Sequence, residues 1–257
     1  ALSGSAADLV SAFAGTVTTH TGTVTITDAP NVAQLKAINA ATTGAITLDD
    51  TTGALSGSAA DLVSAFAGTV TTHTGTVTIT DADNTPLAAT VLSGIGGETT
   101  GTATVTNDVE ITGTVSEINA ALVNAATKVV LAGNANVTAT DVTTGSNLSG
   151  VNPTGTGKLT AQLVNNANIS ANNDLSTVDF FSLNSAAAVT MTKEQHLQIS
   201  AATGTNTVTL SNTGTVAGNA AVEAYSLANA TGNVFTTNAV GQTVTGGTQI
   251  DNITGST

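Results

Sequence analysis

Residues 1–29, ALSGSAADLVSAFAGTVTTHTGTVTITDA, return letter for letter as residues 54–82, a perfect internal duplication 53 positions on. Self-similarity at a fixed spacing is the mark of repeat architectures, in which one unit cannot bury its own apolar face and stacks on a neighbour. Identity that extends to solvent-facing positions implies a recent duplication in a gene that tolerates length change. That favours a structural or adhesive protein over an enzyme, whose single site gains nothing from a copied scaffold. The chain opens in the middle of a repeat at Ala1, which suggests a piece of something longer.

Two periodicities alternate around this unit. Thr23-Val24-Thr25-Ile26-Thr27-Asp28 is strict polar/apolar alternation, which puts Val24 and Ile26 on one strand face and threonines on the other. The same strand returns at Thr76–Asp81, and residues 45–49 (AITLD) and 128–131 (KVVL) read likewise. Between them lie short helical patterns. Ser58 with Asp61, Leu62, Val63 and Phe66 is a capped amphipathic turn stopped by Gly68. Asn31 opens a second helix through Val32, Leu35 and Ile38 that closes near Gly44. Thr114 with Glu117 forms a capping box ahead of Ile118 and Leu122, and Thr192 with Gln195 caps a segment carrying His196, Leu197 and Ile199. Two strands and two helices in 53 residues give about 26 residues per strand-helix unit. Crossovers of that length return the chain for parallel pairing, and the two-residue turns of antiparallel hairpins are largely missing.

The expected fold is mainly β: a parallel β-solenoid, with short helical crossovers in the N-terminal half (an α/β repeat) and a tighter β-helix in the C-terminal half. Tandem β-sandwich domains are the alternative. Three regions follow: a strand-helix repeat over 1–144, irregular coils or a linker with one helix over 145–203, and a tight β-solenoid over 204–257. The middle region is placed by the Gly-, Asn-, Ser- and Thr-rich run with Pro153, the last by closely spaced strands such as TNTVTLSN, VEAYSLAN and GNVFTTN. Their spacing shrinks to nine or ten residues near the end, read as one inward residue per coil.

Composition sharpens the functional class. Aromatics are 2%, with no Trp, one Tyr (Tyr225) and five Phe, so the core is built from Val, Ile, Leu and Ala. Charged residues are 8%, against roughly 25% in an ordinary domain. Disorder is disfavoured, because disordered chains are poor in the β-branched residues abundant here. Four Lys, no Arg and a net charge of −13 exclude nucleic acid and repel anionic lipid. The absence of Cys removes disulfides and thiol chemistry, and no run of about 18 apolar residues exists to insert into a membrane. The first residues lack the basic and apolar regions of a signal peptide. Catalysis finds no nucleophile, acid/base pair or cofactor loop. Pectin-cleaving β-helix enzymes rely on a basic group that a chain without Arg does not offer. His20, its counterpart His73 and the isolated His196 form no constellation.

Gly246-Gly247-Thr248-Gln249-Ile250-Asp251-Asn252-Ile253-Thr254 approaches the nonapeptide G-G-x-G-x-D-x-U-x, with Gln249 where the third glycine belongs. It resembles the entry to an RTX-type calcium β-roll. Residues 189–247 resemble the non-calcium β-solenoid coils that precede such nonapeptides in large secreted bacterial surface proteins, S-layer proteins and adhesins among them. Residues 109–125 (VEITGTVSEINAALVNA) are similar to cadherin-like repeats of the same kind of protein. The resemblance implies an extracellular or bacterial cell-surface location, type I export, and calcium-dependent folding or lattice assembly. The calcium candidates are Asp251 and Asn252 in the nonapeptide. Asp28 and Asp81 join them as strand-end carboxylates that could ligate a cation between coils, in company with Asp49, Asp50 and Asp83. The competing reading is that strand-end Asp receives turn N–H groups. Expected partners are copies of the chain itself or flanking repeats, held by unpaired strand edges. A binding module for cell-surface carbohydrate or ice, using the Thr and Asn faces, is the alternative function.

Overall fold

A computed structural model of the chain describes residues 1–15, 18–184 and 186–255. It is mainly β, with many parallel strands in several sheets and few helices, and it divides into two compact units.

The first unit spans Ala1–Asn136 with Pro153–Gly157. Its elements in order are β1 (Leu2–Gly4), α1 (Ala6–Phe13), β2 (Val24–Ile26), α2 (Val32–Ala41), β3 (Ile46–Leu48), β4 (Leu55–Gly57), α3 (Ala59–Ala65), β5 (Val77–Ile79), β6 (Pro86–Ala88), α4 (Ala89–Gly97), β7 (Ala103–Val105), β8 (Glu110–Gly113), α5 (Val115–Leu122) and β9 (Val129–Leu131). Strands β1-β2-β3, β4-β5-β7-β9 and β6-β8 pair in parallel. The pairing is in register at a near-constant return: Leu2, Val24 and Ile46 lie opposite one another at steps of 22 residues, and Val77, Ala103 and Val129 at steps of 26. Alternation does the sorting. Val24 and Ile26 are fully buried, while Thr25 between them stands in line with Ser3 and Thr47 on the other face. Each helix lays its apolar stripe (Leu9, Leu35, Leu62, Leu92, Ile118) against the strands, and successive helices pack on one another.

Local chemistry fixes the helix starts. Asn31 with Gln34 and Thr114 with Glu117 form complete capping boxes, and Ser58 takes the Asp61 N–H at 3.1 Å. The α4 helix has no side-chain cap and carries Gly94, Gly96 and Gly97. Gly96 has a packing reason, since a Cβ there would collide with the Thr127 carbonyl oxygen.

The second unit, Val137–Asn152 with Lys158–Thr257, is built almost wholly of strands. They are β10 (Asn136–Val142), β11 (Leu159–Leu163), β12 (Phe180–Leu183), β13 (Ala188–Met191), β14 (Ile199–Ala202), β15 (Thr207–Leu210), β16 (Thr215–Ala217), β17 (Ala224–Ser226), β18 (Asn233–Thr236), β19 (Thr243–Thr245) and β20 (Asp251–Thr254), with a 3-10 turn at Asn173–Leu175 and a four-residue helix α6 (Lys193–His196). The sequence pattern leaves residues 145–203 irregular. The structure places β11 to β14 there, because Leu159, Ala161 and Leu163 alternate inward between polar residues like the strands on either side.

Strands β10-β11-β12-β14, β13-β15-β17-β19 and β16-β18-β20 form parallel sheets. The nine- or ten-residue spacing seen in the sequence is half a return. Ala188 faces Thr207, and Thr207 faces Ala224, at steps of 19 and 17, while the intervening strands pair in a separate sheet with Thr215 facing Val234 at 19. Each return therefore contributes two strands, and Val208, Tyr225, Val216 and Phe235 fill the space from both sheets.

Candidate functional site

Residues just past a strand carry most of the polar chemistry. Asp28 and Asp81 each stand two residues beyond a strand, and each accepts the first N–H of a helix one return earlier, from Ala6 and from Ala59, both at 2.7 Å. Asn212 does the same for α6, taking the Lys193 N–H at 2.8 Å. A carboxylate in the positive first turn satisfies an orphan donor and meets the helix dipole. Asp28 and Asp81 are thus helix caps supplied from the next return, the Asx alternative of the sequence reading in a long-range form. Asp83, Asp108 and Asn134 continue the theme: the Asp108 N–H donates to Asp83 at 3.0 Å, the Asn134 N–H to Asp108 at 2.7 Å and the Thr156 N–H to Asn134 at 3.0 Å. Hydrogen bonds from Asn134 hold the Asp108 carboxyl below its ordinary range.

Asp251 opens β20 opposite Asn233, which opens β18. Its carboxylate accepts the Gly247 N–H at 2.7 Å and the Asn233 side-chain amide at 2.6 Å. Asn233 in turn donates to the Ala228 and Ala230 carbonyls, so the two residues tie successive corners of one sheet. Asn252 is exposed on the strand between them and Thr254. Both Asp251 oxygens are engaged within the chain, and among the described residues no group of three or more His, Cys, Asp or Glu converges. Calcium takes six to eight oxygens, and Asp251 and Asn252 contribute two side chains toward such a set. Asp28, Asp81 and Asp251 are not brought together.

The densest buried polar group is one that the sequence pattern does not announce. His196 and Tyr225, 29 residues apart, meet with Nε2 and Oη 2.9 Å apart and their rings edge to face at 5.4 Å. The Asn219 N–H donates to the same hydroxyl at 2.7 Å, and Phe235 packs on Tyr225 with centroids 4.7 Å apart. The hydroxyl also lies 3.5 Å from the Asn219 carbonyl oxygen, and the other imidazole nitrogen, Nδ1, is buried without a partner. Burial pushes His196 down to about 4 and Tyr225 up to about 12. Both side chains stay neutral near pH 7, and the pair serves as a polar clamp in the aliphatic interior. His20 and His73 sit at matching positions beside Phe13 and Phe66, 6.2 and 6.3 Å between ring centroids. The three histidines remain apart in the sequence positions and contacts that hold them.

Exposed large apolar groups include Leu2 on β1, Ile253 on β20, Val63 on α3, Leu197 just after α6, and Val240 and Ile250 ahead of β19 and β20. β1, β19 and β20 each have a hydrogen-bonded strand on one side. Around β19 and β20, Val240 is 96% and Ile250 85% exposed. Among the described residues no helix is long and apolar enough to cross a membrane. No protein-family profile, curated protein or solved structure matches the chain.

Proposed function

We propose that this chain is a structural, self-assembling segment of a secreted bacterial surface protein of the S-layer, surface-filament or adhesin kind, built as a parallel β-solenoid and without a catalytic role. The observation that carries the reading is the in-register parallel return of the strands at 17 to 26 residues, which leaves β1, β19 and β20 as open edges. An open edge presents a row of unpaired N–H and C=O groups and is a template for another strand. Exposed Val240 and Ile250 beside two of these edges add apolar area to that template. Copies of the chain or flanking repeats are the partners that such edges fit. The same parallel returns speak against the sandwich alternative, whose sheets are antiparallel.

Sedimentation velocity across a concentration series, with electron microscopy of the fractions, tests the assignment. Concentration-dependent oligomers or filaments are expected, and a monomer with unaltered secondary structure at every concentration refutes it. Running the series with calcium and with chelator reads the calcium dependence implied by the RTX-like resemblance.

One observation favours a second reading, a binding surface for ice or carbohydrate. Thr190, Thr209, Ser226 and Thr245 stand in line across β13, β15, β17 and β19, a hydroxyl column one residue wide. Ice-recrystallisation inhibition or a specific glycan-array signal, lost on replacing Thr209 and Ser226 by Val, selects it over assembly.

A further inference from the structure

The two 29-residue copies share their helix-capping and ring geometry. Ser5 takes the Asp8 N–H at 3.2 Å and Ser58 the Asp61 N–H at 3.1 Å. Asp28 and Asp81 cap their helices at the same distance, and the Phe-His ring contacts agree. What differs is the cover. Leu2 is 39% exposed and its counterpart Leu55 is 1%. Ala12 is exposed where Ala65 is buried, and Phe13 and His20 are half-buried where Phe66 and His73 are buried. Identical sequence in two surroundings maps an interface by subtraction.

The cover on the second copy is α2 and β3. Lys36 pairs with Asp61. The Asn39 side-chain amide donates to the Ala65 carbonyl at 2.9 Å and the Ala67 carbonyl at 2.6 Å. Val32 closes over Gly57, where an added Cβ would lie 3.2 Å from its Cγ1, and the Thr71 N–H donates to the Ile46 carbonyl at 2.9 Å. On the first copy every counterpart is present: exposed Asp8 for Asp61, the Ala12 and Ala14 carbonyls for those of Ala65 and Ala67, and Gly4 for Gly57. Beside them lies a groove of about 470 Å³ lined by Leu2, Ala12, Phe13 and His20.

We infer that this α1 face, with Asp8, Ala12, Phe13 and Leu2, is a docking surface for a helix-strand module with the sequence of residues 30–53, whose lysine pairs with Asp8 and whose asparagine caps the α1 end. The inference rests on the stacked-repeat part of the proposed function and adds the register, polarity and chemistry of the joint. A lysine opposite the aspartate and an apolar stripe of Val32, Leu35 and Ile38 type define the occupant; an acidic or fully polar helix does not fit.

The test is the full chain carrying one additional copy of residues 1–53 ahead of Ala1, compared with the full chain itself by amide hydrogen exchange resolved to α1. The added module should slow exchange of the α1 amides, about tenfold or more, to the level of α3. Asp8→Lys in the extended chain should reverse much of that slowing and have little effect in the chain without extension. Exchange of α1 that is the same with and without the added copy overturns the inference, as does an added copy that stays unprotected. Because the readout is taken within one monomer, a protected α1 in a chain that never oligomerises removes the assembly reading alone, and an unprotected α1 in a chain that does oligomerise removes this inference alone.

Discussion

Neutralising the need for His196 to stay uncharged should flatten the acid side of the stability profile. The imidazole is buried against Tyr225 and held neutral, at about 4 against an ordinary value of 6.5. In the unfolded chain the same group protonates below 6.5, so between those limits the unfolded state binds more protons and stability rises with pH. The contribution is complete above pH 6.5 and is lost as pH falls toward 4. At 1.36 kcal/mol per unit, the loss is about 2 kcal/mol at pH 5 and about 3 kcal/mol when complete. Carboxylates held low by hydrogen bonds, Asp108 and Asp50 among them, lose their contribution only below their unfolded range near 3.8, outside this window. His73, also lowered by burial, acts in the same direction as His196, so the measurement is a difference between wild type and His196→Gln. Glutamine keeps a partner for the Tyr225 hydroxyl and cannot titrate. Urea unfolding at pH 7.5 and pH 5.0, followed by far-UV circular dichroism because the chain has no Trp, should show the wild type losing about 2 kcal/mol more than the variant. Equal losses in the two proteins would refute the buried, neutral imidazole.

Three further outcomes follow from the returns and corners. A Cβ on Gly44 would collide with the Gly22 carbonyl oxygen, so Gly44→Ala should destabilise by about 1–3 kcal/mol, whereas Gly94→Ala, in open space on α4, should stabilise by up to about 1 kcal/mol in the same denaturation assay. Leu55→Ala should cost about 2–5 kcal/mol, and Leu2→Ala, the same residue of the other copy at 39% exposure, less than half as much; similar costs would contradict the exposed α1 face. Asp81→Ala should cost about 1 kcal/mol and speed exchange at the start of α3, while Asp81→Asn, which keeps the acceptor for the Ala59 N–H, should be nearly neutral.

What the sequence made legible was whatever is decided within a few residues. The Asn31–Gln34 and Thr114–Glu117 boxes mark real helix starts because both partners sit in one turn. Val24 and Ile26 declare their face by alternation. The α4 helix escapes notice because its three glycines argue locally against helix, and the Thr127 carbonyl that requires one of them is 31 positions away from Gly96. The three-residue strands β1, β4 and β6 are too short to show a period of two, and only their partners define them. In the second unit the period was visible but its meaning was not: two sheets fed alternately double the return relative to the strand spacing. Asp28 and Asp81 read in the sequence as strand-end carboxylates, yet the N–H groups they accept belong to helix starts one return earlier. The His196–Tyr225 clamp has no local signal at all.

The acidic and amide residues at the corners also answer a question that the aliphatic interior leaves open. Strands of three or four residues present one or two inward side chains, and alternation has a period of two. A slip by one residue is therefore forbidden, since it turns Val24 and Ile26 outward, but a slip by two still sets aliphatic against aliphatic. Columns of Val, Ile and Leu are nearly degenerate to that error. The corner hydrogen bonds are not: Asp83 meets the Asp108 N–H, Asp108 that of Asn134 and Asn134 that of Thr156, each at one atom pair. Displacing one return by two residues takes each of these N–H groups away from its acceptor, so the corner bonds are lost together. In a chain whose interior is small, aliphatic and repetitive, specificity of stacking thus resides in side-chain-to-backbone bonds between returns. That accounts for carboxylates and amides gathered at strand ends in a protein with only four lysines to pair with them. The same rule extends to any module added at an open face, which must match the corner donors as well as the apolar columns to be held in register.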